Sequence, residues 1–185
     1  FFQRVLEERT RQSGVEYRAR HIDGDWRWNT SNAAPLLNQE NELVGMIGIG
    51  RDISERKANE ARIFRLAHFD SLTDLPNRSL FSDRLQQALQ MAQRNHEQVT
   101  LMCVDLDRFK PINDTWGHAV GDEVLKQVAQ RMVSCVRASD TVGRIGGDEF
   151  VVLLPESHNA EEILRVAEKI RESLAEDFIV GDLRL

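Results

Sequence analysis

The sequence predicts a mixed α/β protein in which an antiparallel strand meander, a connecting helix and a sheet with flanking helices follow one another. Three observations support this prediction. Residues 15–50 contain two short stretches in which apolar and polar residues alternate, as they do in half-buried strands, and a third stretch of apolar residues interspersed with glycines. Residues 54–69 keep a helical pattern without a break. From residue 79 onward, stretches with apolar residues at helical spacing alternate with short continuous apolar runs, which is typical of an α/β sheet.

The composition is that of an ordinary folded protein. The chain has 185 residues, 41% hydrophobic and 29% charged, which is enough for one large or two small domains. The net charge of −6 and the lack of a Lys/Arg block argue against a nucleic-acid partner. No apolar stretch is long enough to cross a bilayer, so we expect a cytoplasmic chain, with any membrane tether in regions before Phe1. The chain does not begin with Met, so we expect that its natural N-terminus is missing.

The first part, residues 1–53, predicts the end of a helix followed by three antiparallel strands. Residues 15–20 and 26–30 alternate in polarity on either side of a turn. Residues 43–50 predict a third strand after a polar loop. A meander of this size is too small to fold alone.

This pattern resembles the C-terminal half of a PAS sensor domain. The matching features are the turn at Asp23-Gly24, the strand with Trp26-x-Trp28, and Gly45-x-x-Gly48 running into residues 51–57. PAS domains bind small ligands, haem or flavin, or nothing, and the resemblance implies that the ligand-facing helices lie upstream of Phe1. The signal therefore cannot be read from this sequence. His21 could suggest haem, but its place beside a turn favours a solvated histidine.

Residues 54–69 are predicted as a linking helix. Ser54 is a suitable N-cap, and Ile63, Leu66 and Ala67 give a short apolar stripe. Two interpretations stay open: an amphipathic helix that packs on one neighbour, or a signalling helix that passes rotation or dimer register to the next domain. Pro76 stops any helix here and begins the next segment.

Residues 70–185 predict helices and strands in the order α, β, α, β, β, α, β, which is close to a split βαβ arrangement. Residues 99–104 and 150–154 predict buried strands. Asn159 is the expected cap of the third helix. Cys103 and Cys135 have no metal-type spacing, so we expect both to be small buried hydrophobic residues in a reducing compartment.

A turn at Gly146-Gly147 carries two carboxylates, Asp148 and Glu149. Asp105 ends another predicted strand, so three carboxylates would meet at one edge of the sheet if the strands are neighbours. Such a cluster is costly unless cations occupy it. Mg²⁺ or Mn²⁺ would suit these oxygen ligands, and two such ions can activate a hydroxyl nucleophile and stabilise a leaving oxygen. The alternative is that Asp and Gly are simply common turn formers.

The motifs of this part resemble the GGDEF domain of diguanylate cyclases. They are Gly146-Gly147-Asp148-Glu149-Phe150, Asp70-x-Leu72-Thr73-x-Leu75-x-Asn77-Arg78, Asp105-Leu106-Asp107-x-Phe109-Lys110-x-x-Asn113-Asp114, and Gly117-His118-x-x-Gly121-Asp122. The family fold is similar to nucleotidyl cyclase and polymerase palm domains. Its members condense two GTP molecules into cyclic di-GMP and release pyrophosphate, with two domains face to face. The resemblance implies GTP as the substrate, a homodimer, and two Mg²⁺ or Mn²⁺ ions in each active site.

The resemblance also implies roles for individual residues. The implied metal ligands are Asp105, the Leu106 carbonyl, Asp148 and Glu149, and the implied catalytic residues are Asp148 and Glu149. Asp148 is the candidate for deprotonating the ribose 3′-hydroxyl. The implied substrate-binding residues are Asn113 and Asp122 for guanine, Phe109 and Leu72 beside the base, Lys110, His118, and Gly147. The alternatives are a helix or turn cap for Asn113, a position favoured by the helix dipole for Asp122, and a structural role in the turn for His118.

Arg137-Ala138-Ser139-Asp140 matches the RxxD inhibitory site of the family. The match implies that cyclic di-GMP binds Arg137 and Asp140 and inhibits its own synthesis. The alternative is that Arg and Asp are common at helix ends. Because the family domain normally continues through further strands and a helix, we expect this domain to be incomplete at Leu185, and an EAL phosphodiesterase domain could follow.

Two functions stay open from the sequence. The first is a PAS-regulated diguanylate cyclase with a PAS part at residues 1–53, a linker at 54–69 and a GGDEF domain from residue 70. The second is a catalytically silent GGDEF module that binds GTP or cyclic di-GMP and regulates a phosphodiesterase domain or another partner. The intact Asp148 and Glu149 favour the first.

Overall fold

The computed structural model describes residues 2–156 and 159–185. The chain divides into two compact units, residues 1–64 and 65–185. The elements in chain order are α1 (Phe2–Glu8), β1 (Gln12–Arg20), β2 (Trp26–Leu37), β3 (Leu43–Asp52), α2 (Ser54–His68), α3 (Arg78–Asn95), β4 (Thr100–Asp105), α4 (Phe109–Trp116), α5 (His118–Cys135), β5 (Thr141–Gly146), β6 (Glu149–Leu154), α6 (Ala160–Ala175), β7 (Ile179–Val180) and β8 (Leu183–Arg184). No helix within the described ranges is both long and apolar enough to cross a membrane.

The first unit contains the predicted meander, with strands in the order β1-β2-β3 and antiparallel pairing throughout. The structure extends β2 well beyond the predicted residues 26–30, through Pro35 to Leu37. Pro35 is tolerated because the β1 ladder ends at the Gln12–Ala33 pair, so beyond that point no strand on that side needs a backbone N–H. His21 is exposed and lies 2.8 Å from Asp23, as expected for a solvated histidine.

The start of α2 differs from the prediction in one respect. Ser54 was expected to cap the helix, but its Oγ accepts a hydrogen bond from the backbone N–H of Trp28 at 2.9 Å. The first backbone bond of the helix runs instead from Lys57 N to Ile53 O. The serine therefore ties the helix start to β2. None of the α2 side chains is buried.

The second unit is built around an antiparallel sheet in the order β4-β6-β5. One face packs against α5 and α6. Its core consists largely of Val124, Leu125, Val128, Met132, Val142, Phe150, Val152, Leu154 and Ile170. On the other face, Val151 and Leu153 pack with Phe81 and Ala88 of α3. The predicted burial of β6 is confirmed, because every residue after Glu149 in that strand is buried.

Strand β4 does not match the prediction of a fully buried strand. Its residues alternate in exposure, Leu101 is 46% exposed, and Cys103 is exposed whereas Cys135 is buried. The prediction was wrong for Cys103 because β4 is at the edge of the sheet. The helix on that face, α3, packs against β5 on the opposite edge.

Helix α4 was not predicted at all. It is short and is separated from α5 only by Gly117, whose φ of 83° is favourable for glycine. Pro111 is compatible with α4 because it lies in the first turn, where backbone N–H groups have no helical acceptor.

The cap predicted for the third helix of this unit is confirmed in α6, and a short strand pair follows it. Asn159 caps α6 by accepting a hydrogen bond from Glu162 N at 2.8 Å, and β7 pairs with β8. Arg131 of α5 donates to the carbonyls of Ser173, Glu176 and Asp177 at the end of α6. These bonds hold α6 against α5.

Candidate active site

The hairpin of β5 and β6 reverses at Gly146 and Gly147. Gly147 has a φ of 55°, in the left-handed region where a side chain would be strained, and Gly146 has a φ of 154°. The register shifts between Arg144 and Gly146, so that Gly146 is opposite Glu149. The turn therefore places Asp148 at its tip and Glu149 at the first position of β6.

Asp105, at the end of β4, lies directly opposite Glu149 in the antiparallel register. Cβ atoms of residues paired in this way are about 5 Å apart, and like charges at such positions repel. In the described part of the chain, no Lys, Arg or His forms an ion pair with Asp105, Asp148 or Glu149. The fold therefore brings two strand ends with uncompensated carboxylates together, next to a third carboxylate in the turn.

The side chains do not form a closed metal cage. Among residues 2–156 and 159–185, no group of three or more His, Cys, Asp or Glu side chains is arranged to hold a metal ion. The backbone therefore places Asp105 opposite Glu149, as the prediction requires. The side chains of Asp105, Asp148 and Glu149 do not, however, converge on one position for a metal ion. Within the described ranges, the Leu106 carbonyl accepts one long backbone bond, from Phe109 N at 3.4 Å, and a carbonyl oxygen has two lone pairs, so it can accept another partner. Carboxylate and carbonyl oxygens are the donor types that suit Mg²⁺ or Mn²⁺.

Asn113 and Asp122, the predicted guanine-binding residues, lie on neighbouring helices. Asn113 Oδ1 is buried and has no hydrogen-bond partner among the described residues. It rests against Gly121 so closely that a Cβ on Gly121 would lie 2.0 Å from it. Asp122 follows Gly121, is exposed, and lies in the second turn of α5. This position is beyond the first turn, so the helix-dipole alternative for Asp122 is weakened.

The other predicted substrate-binding residues are more dispersed. Phe109 is 8% exposed and belongs to the core of the unit, where Leu72 packs against the same cluster. Lys110 and His118 are exposed at the starts of α4 and α5. Phe109 and Lys110 lie on α4 with Asn113, and His118 lies on α5 with Asp122, whereas Leu72 lies in the loop before α3.

A cavity of about 730 Å³ lies beside β4. Its lining is mainly apolar and includes Met102, Val104, Ile170, Leu174 and Phe178, together with the carboxylates Asp105 and Asp107. Asn113, Asp122, Asp148 and Glu149 do not line it. Three predicted site residues, Asp105, Leu106 and Phe109, do line it, so the cavity adjoins the predicted site along β4 without including all of its residues.

Arg144 is the residue near the turn that the sequence did not single out. Its side chain is 10% exposed, and its Nη1 donates to Asp70 Oδ1 at 2.8 Å. Its Nε and Nη2 both donate to the carbonyl of Gly147, at 3.0 and 2.7 Å. Burial raises the pKa of Asp70, but the hydrogen bonds from Thr73 and Arg144 outweigh that effect and leave this pKa below its ordinary value. The sequence signal that could have singled out Arg144 is a charged residue inside a strand, two residues before the Gly146-Gly147 turn.

The residues of the predicted inhibitory site lie in the turn between α5 and β5. The backbone N–H of Arg137 donates to Asp140 Oδ2 at 2.8 Å. The Arg137 side chain is 71% exposed, and its Nη2 lies 3.4 Å from Glu162 Oε1. Its remaining donors are open to solvent.

Comparison with known proteins identifies the second unit. A sequence model of the family described as "Diguanylate cyclase, GGDEF domain" matches residues 67–184. The chain belongs to this family. A model of the PAS fold matches residues 1–58, which confirms the predicted combination of a PAS part and a GGDEF domain.

Relatives and solved structures agree with this assignment. The chain is 45% identical over 122 residues to diguanylate cyclase TpbB of Pseudomonas aeruginosa, covering 66% of this chain and 28% of TpbB. It is 38% identical over 159 residues to diguanylate cyclase DgcM of Escherichia coli K12, covering 86% of this chain and 38% of DgcM. The GGDEF domain structure of TpbB matches with a TM-score of 0.62 and 44% identity, covering 64% of this chain and 69% of that one. The chain thus spans well under half the length of these two curated relatives.

A further solved structure contains bound cyclic di-GMP. The coiled coil and GGDEF domain of DgcB from Caulobacter crescentus, in complex with cyclic di-GMP, matches with a TM-score of 0.64 and 28% identity. The match covers 71% of this chain and 69% of that one.

Proposed function

We propose that the GGDEF domain of this chain condenses two GTP molecules into cyclic di-GMP and pyrophosphate at a homodimer interface. The single observation that supports this most strongly is the pairing of Asp105 with Glu149 beside the turn that carries Asp148. Two carboxylates held opposite each other without a basic partner are unfavourable until cations neutralise them. GTP phosphates reach such a site together with divalent cations.

Each residue then has a defined task. Asp105, Asp148, Glu149 and the Leu106 carbonyl would hold Mg²⁺ or Mn²⁺, and such ions when bound lower the pKa of a hydroxyl nucleophile and neutralise phosphate charge. Asp148 would accept the proton from the ribose 3′-hydroxyl. Gly147 has no side chain, so its backbone lets a phosphate approach the turn.

Guanine recognition is proposed for Asn113 and Asp122. Asn113 Oδ1 is a buried acceptor without a partner in the described part of the chain, so a donor such as the guanine N2 amine would satisfy it. Asp122 would accept from the N1–H and N2 amine. Adenine lacks these donors, so a site built to receive them rejects ATP.

The linker helix and the PAS part are proposed as the regulatory input, with boundaries at residues 1–53, 54–69 and 70–185. Helix α2 exposes Ile63, Phe64 and Leu66, which are 66%, 55% and 63% exposed. A second copy of this helix would cover these apolar side chains and bring two GGDEF domains together. This supports the dimer that the reaction requires.

The test supplies GTP and Mg²⁺ to the complete protein and measures cyclic di-GMP by chromatography. We expect product from the wild type and at least about 100-fold less from Glu149→Gln, because the variant loses a charged ligand. Glu172→Gln, a change at an exposed carboxylate on α6, is the matched control and should keep full activity. Equal product from Glu149→Gln and wild type would show that the metal assignment is wrong. No product from the wild type, with GTP still bound, would favour the silent binding module.

Feedback inhibition is proposed for the site of Arg137 and Asp140. The exposed guanidinium can donate two parallel hydrogen bonds to a phosphate or a guanine edge. Isothermal titration calorimetry should show that Arg137→Ala weakens cyclic di-GMP binding at least tenfold while initial activity stays intact. Unchanged binding would refute this site.

A further inference from the structure

The guanidinium of Arg144 connects the loop after α2 to the turn that carries the catalytic carboxylates. Three of its five N–H donors are used: one on Asp70 and two on the Gly147 carbonyl. Because the group is planar and its side chain is only 10% exposed, these bonds fix its orientation. Arg144 therefore links the loop after α2 to the turn between β5 and β6.

The double bond to Gly147 fixes one peptide plane in the turn. In a trans peptide the C=O and the next N–H point in opposite directions, so holding the Gly147 carbonyl also sets the direction of the Asp148 N–H. Glycine populates many backbone conformations at low cost, and two glycines stand here in sequence. The turn would not keep this peptide plane by its own preference, so the constraint has to come from a neighbour.

Asp70, at the other end of this link, is held by further hydrogen bonds. Asp70 Oδ1 also accepts from Thr73 N at 2.9 Å and from Thr73 Oγ1 at 2.7 Å. Asp70 N donates to the carbonyl of Leu75, which is 6% exposed. The same loop bonds to β5, because Arg144 N donates to Pro76 O at 3.0 Å. Arg144 is thus anchored on a loop that is fixed by several bonds of its own.

We propose that Arg144 is a positioning residue for the cyclase reaction. Arg144 links the Gly147 carbonyl to the Asp70 carboxylate and thereby orients Asp148 and Glu149. The kinetic consequence rests on the proposed function, whereas the ordering of the turn does not. Arg144 does not contact the nucleotide in this proposal, since its bonds are directed within the protein. A displacement of about 1 Å in a catalytic group can cost about 100-fold in rate.

The kinetic test uses the complete protein and three variants. Arg144→Ala should lower kcat about 100-fold while the KM for GTP stays within about threefold, because the guanine-binding residues are untouched. Arg144→Lys keeps the charge but has no planar fork, so we expect a loss of about tenfold. Arg84→Ala is the matched control: Arg84 donates to Thr141 Oγ1 at the opposite end of β5, and its loss should leave kcat unchanged.

A double variant tests whether Asp70 and Arg144 act as one unit. Asp70→Ala should lower kcat, and Asp70→Ala/Arg144→Ala should lose no more than Arg144→Ala alone. Wild-type kcat in Arg144→Ala, or an equal loss in Arg84→Ala, would overturn the proposal. If Arg144→Ala fails to fold, wild-type kcat in Arg144→Lys would overturn it equally.

A second measurement is independent of activity. Hydrogen exchange of the segment 146–150 should be faster in Arg144→Ala than in Arg84→Ala, because the turn loses its constraint. If the wild type makes no cyclic di-GMP, the proposed function fails, and this exchange difference alone decides the inference. Equal exchange in the two variants would overturn it.

Discussion

Two sets of polar groups lie near the Gly146–Gly147 turn, and they differ in whether the protein itself satisfies them. In the first set, Asp70 accepts three hydrogen bonds, two from Thr73 and one from its ion-pair partner Arg144. In the second set, Asp105 and Glu149 face each other without a basic partner in the described residues, and Asn113 Oδ1 is a buried acceptor without a hydrogen bond there. The first set is structurally complete and the second is not.

This difference separates groups that hold the site from groups that are open to a ligand. Leaving a buried acceptor unsatisfied costs about 1–3 kcal/mol, so such groups are uncommon in folded proteins. A cation or a nucleotide that binds here would recover that free energy. Substitutions in the second set should therefore affect activity more than stability, and those in the first set should affect stability as well.

The largest expected effect is in the second set. Asp105→Asn should lower cyclic di-GMP formation by about 100- to 1000-fold, since one proposed metal ligand loses its charge. The melting temperature should stay equal or rise, because a repulsive pair with Glu149 is removed. Enzyme assays and thermal denaturation in the absence of metal check both parts. A large drop in melting temperature would place Asp105 in the structural set.

Gly121→Ala tests the uncharged member of the second set. The new Cβ would lie 2.0 Å from Asn113 Oδ1 and 3.2 Å from Phe109 Cζ, so the amide must move. We expect the KM for GTP to rise about tenfold, which corresponds to about 1.4 kcal/mol of binding free energy, because the displaced amide no longer faces the base. Gly117→Ala is an informative comparison, because nothing lies within 4 Å of its Cβ, although its positive φ will strain the backbone. An unchanged KM in Gly121→Ala would remove Asn113 from the guanine site.

The first set should respond in stability. Asp70→Asn weakens the charge-assisted bond to Arg144, and we expect a loss of about 1–2 kcal/mol in the free energy of unfolding, kept small because Asp70 is partly exposed. Asp74→Asn is the matched control in the same loop. Asp74 pairs with Arg65, but both side chains are 64% exposed, so urea denaturation should show almost no change. Equal losses in the two variants would contradict the distinction between the sets.

Local sequence patterns predicted the parts of this fold that depend on neighbouring residues. The buried run after Glu149 forms β6, Asn159 caps α6, and two glycines form the turn. These features follow from periodicity, capping and backbone freedom, all of which act over a few residues.

The features that the sequence did not reveal depend on distant neighbours. Asp70 and Arg144 are 74 residues apart in the chain, and no local pattern indicates that they meet. Cys103 was predicted as buried because its strand is apolar, yet its exposure is decided by the position of β4 at the sheet edge. The roles of Asn113, Asp122, Arg137 and Asp140 stay predictions from family motifs. The structure adds burial and unsatisfied bonding for Asn113 alone.

The smallest expected effect is the change of folding stability with pH that the Asp70 carboxyl causes. It tests whether Asp70 belongs to the set of groups that stabilise the fold. Its pKa in the folded protein lies below the ordinary value of 3.8, so the folded state binds its proton less readily than the unfolded state. The stability that Asp70 contributes is therefore complete well above pH 3.8 and is lost as pH falls through the lower folded pKa. Urea denaturation at intervals from pH 7 to pH 3 should show a constant difference between wild type and Asp70→Asn at neutral pH. That difference should shrink only toward the acid end, and a difference that already shrinks between pH 7 and pH 5 would mean that another group is responsible.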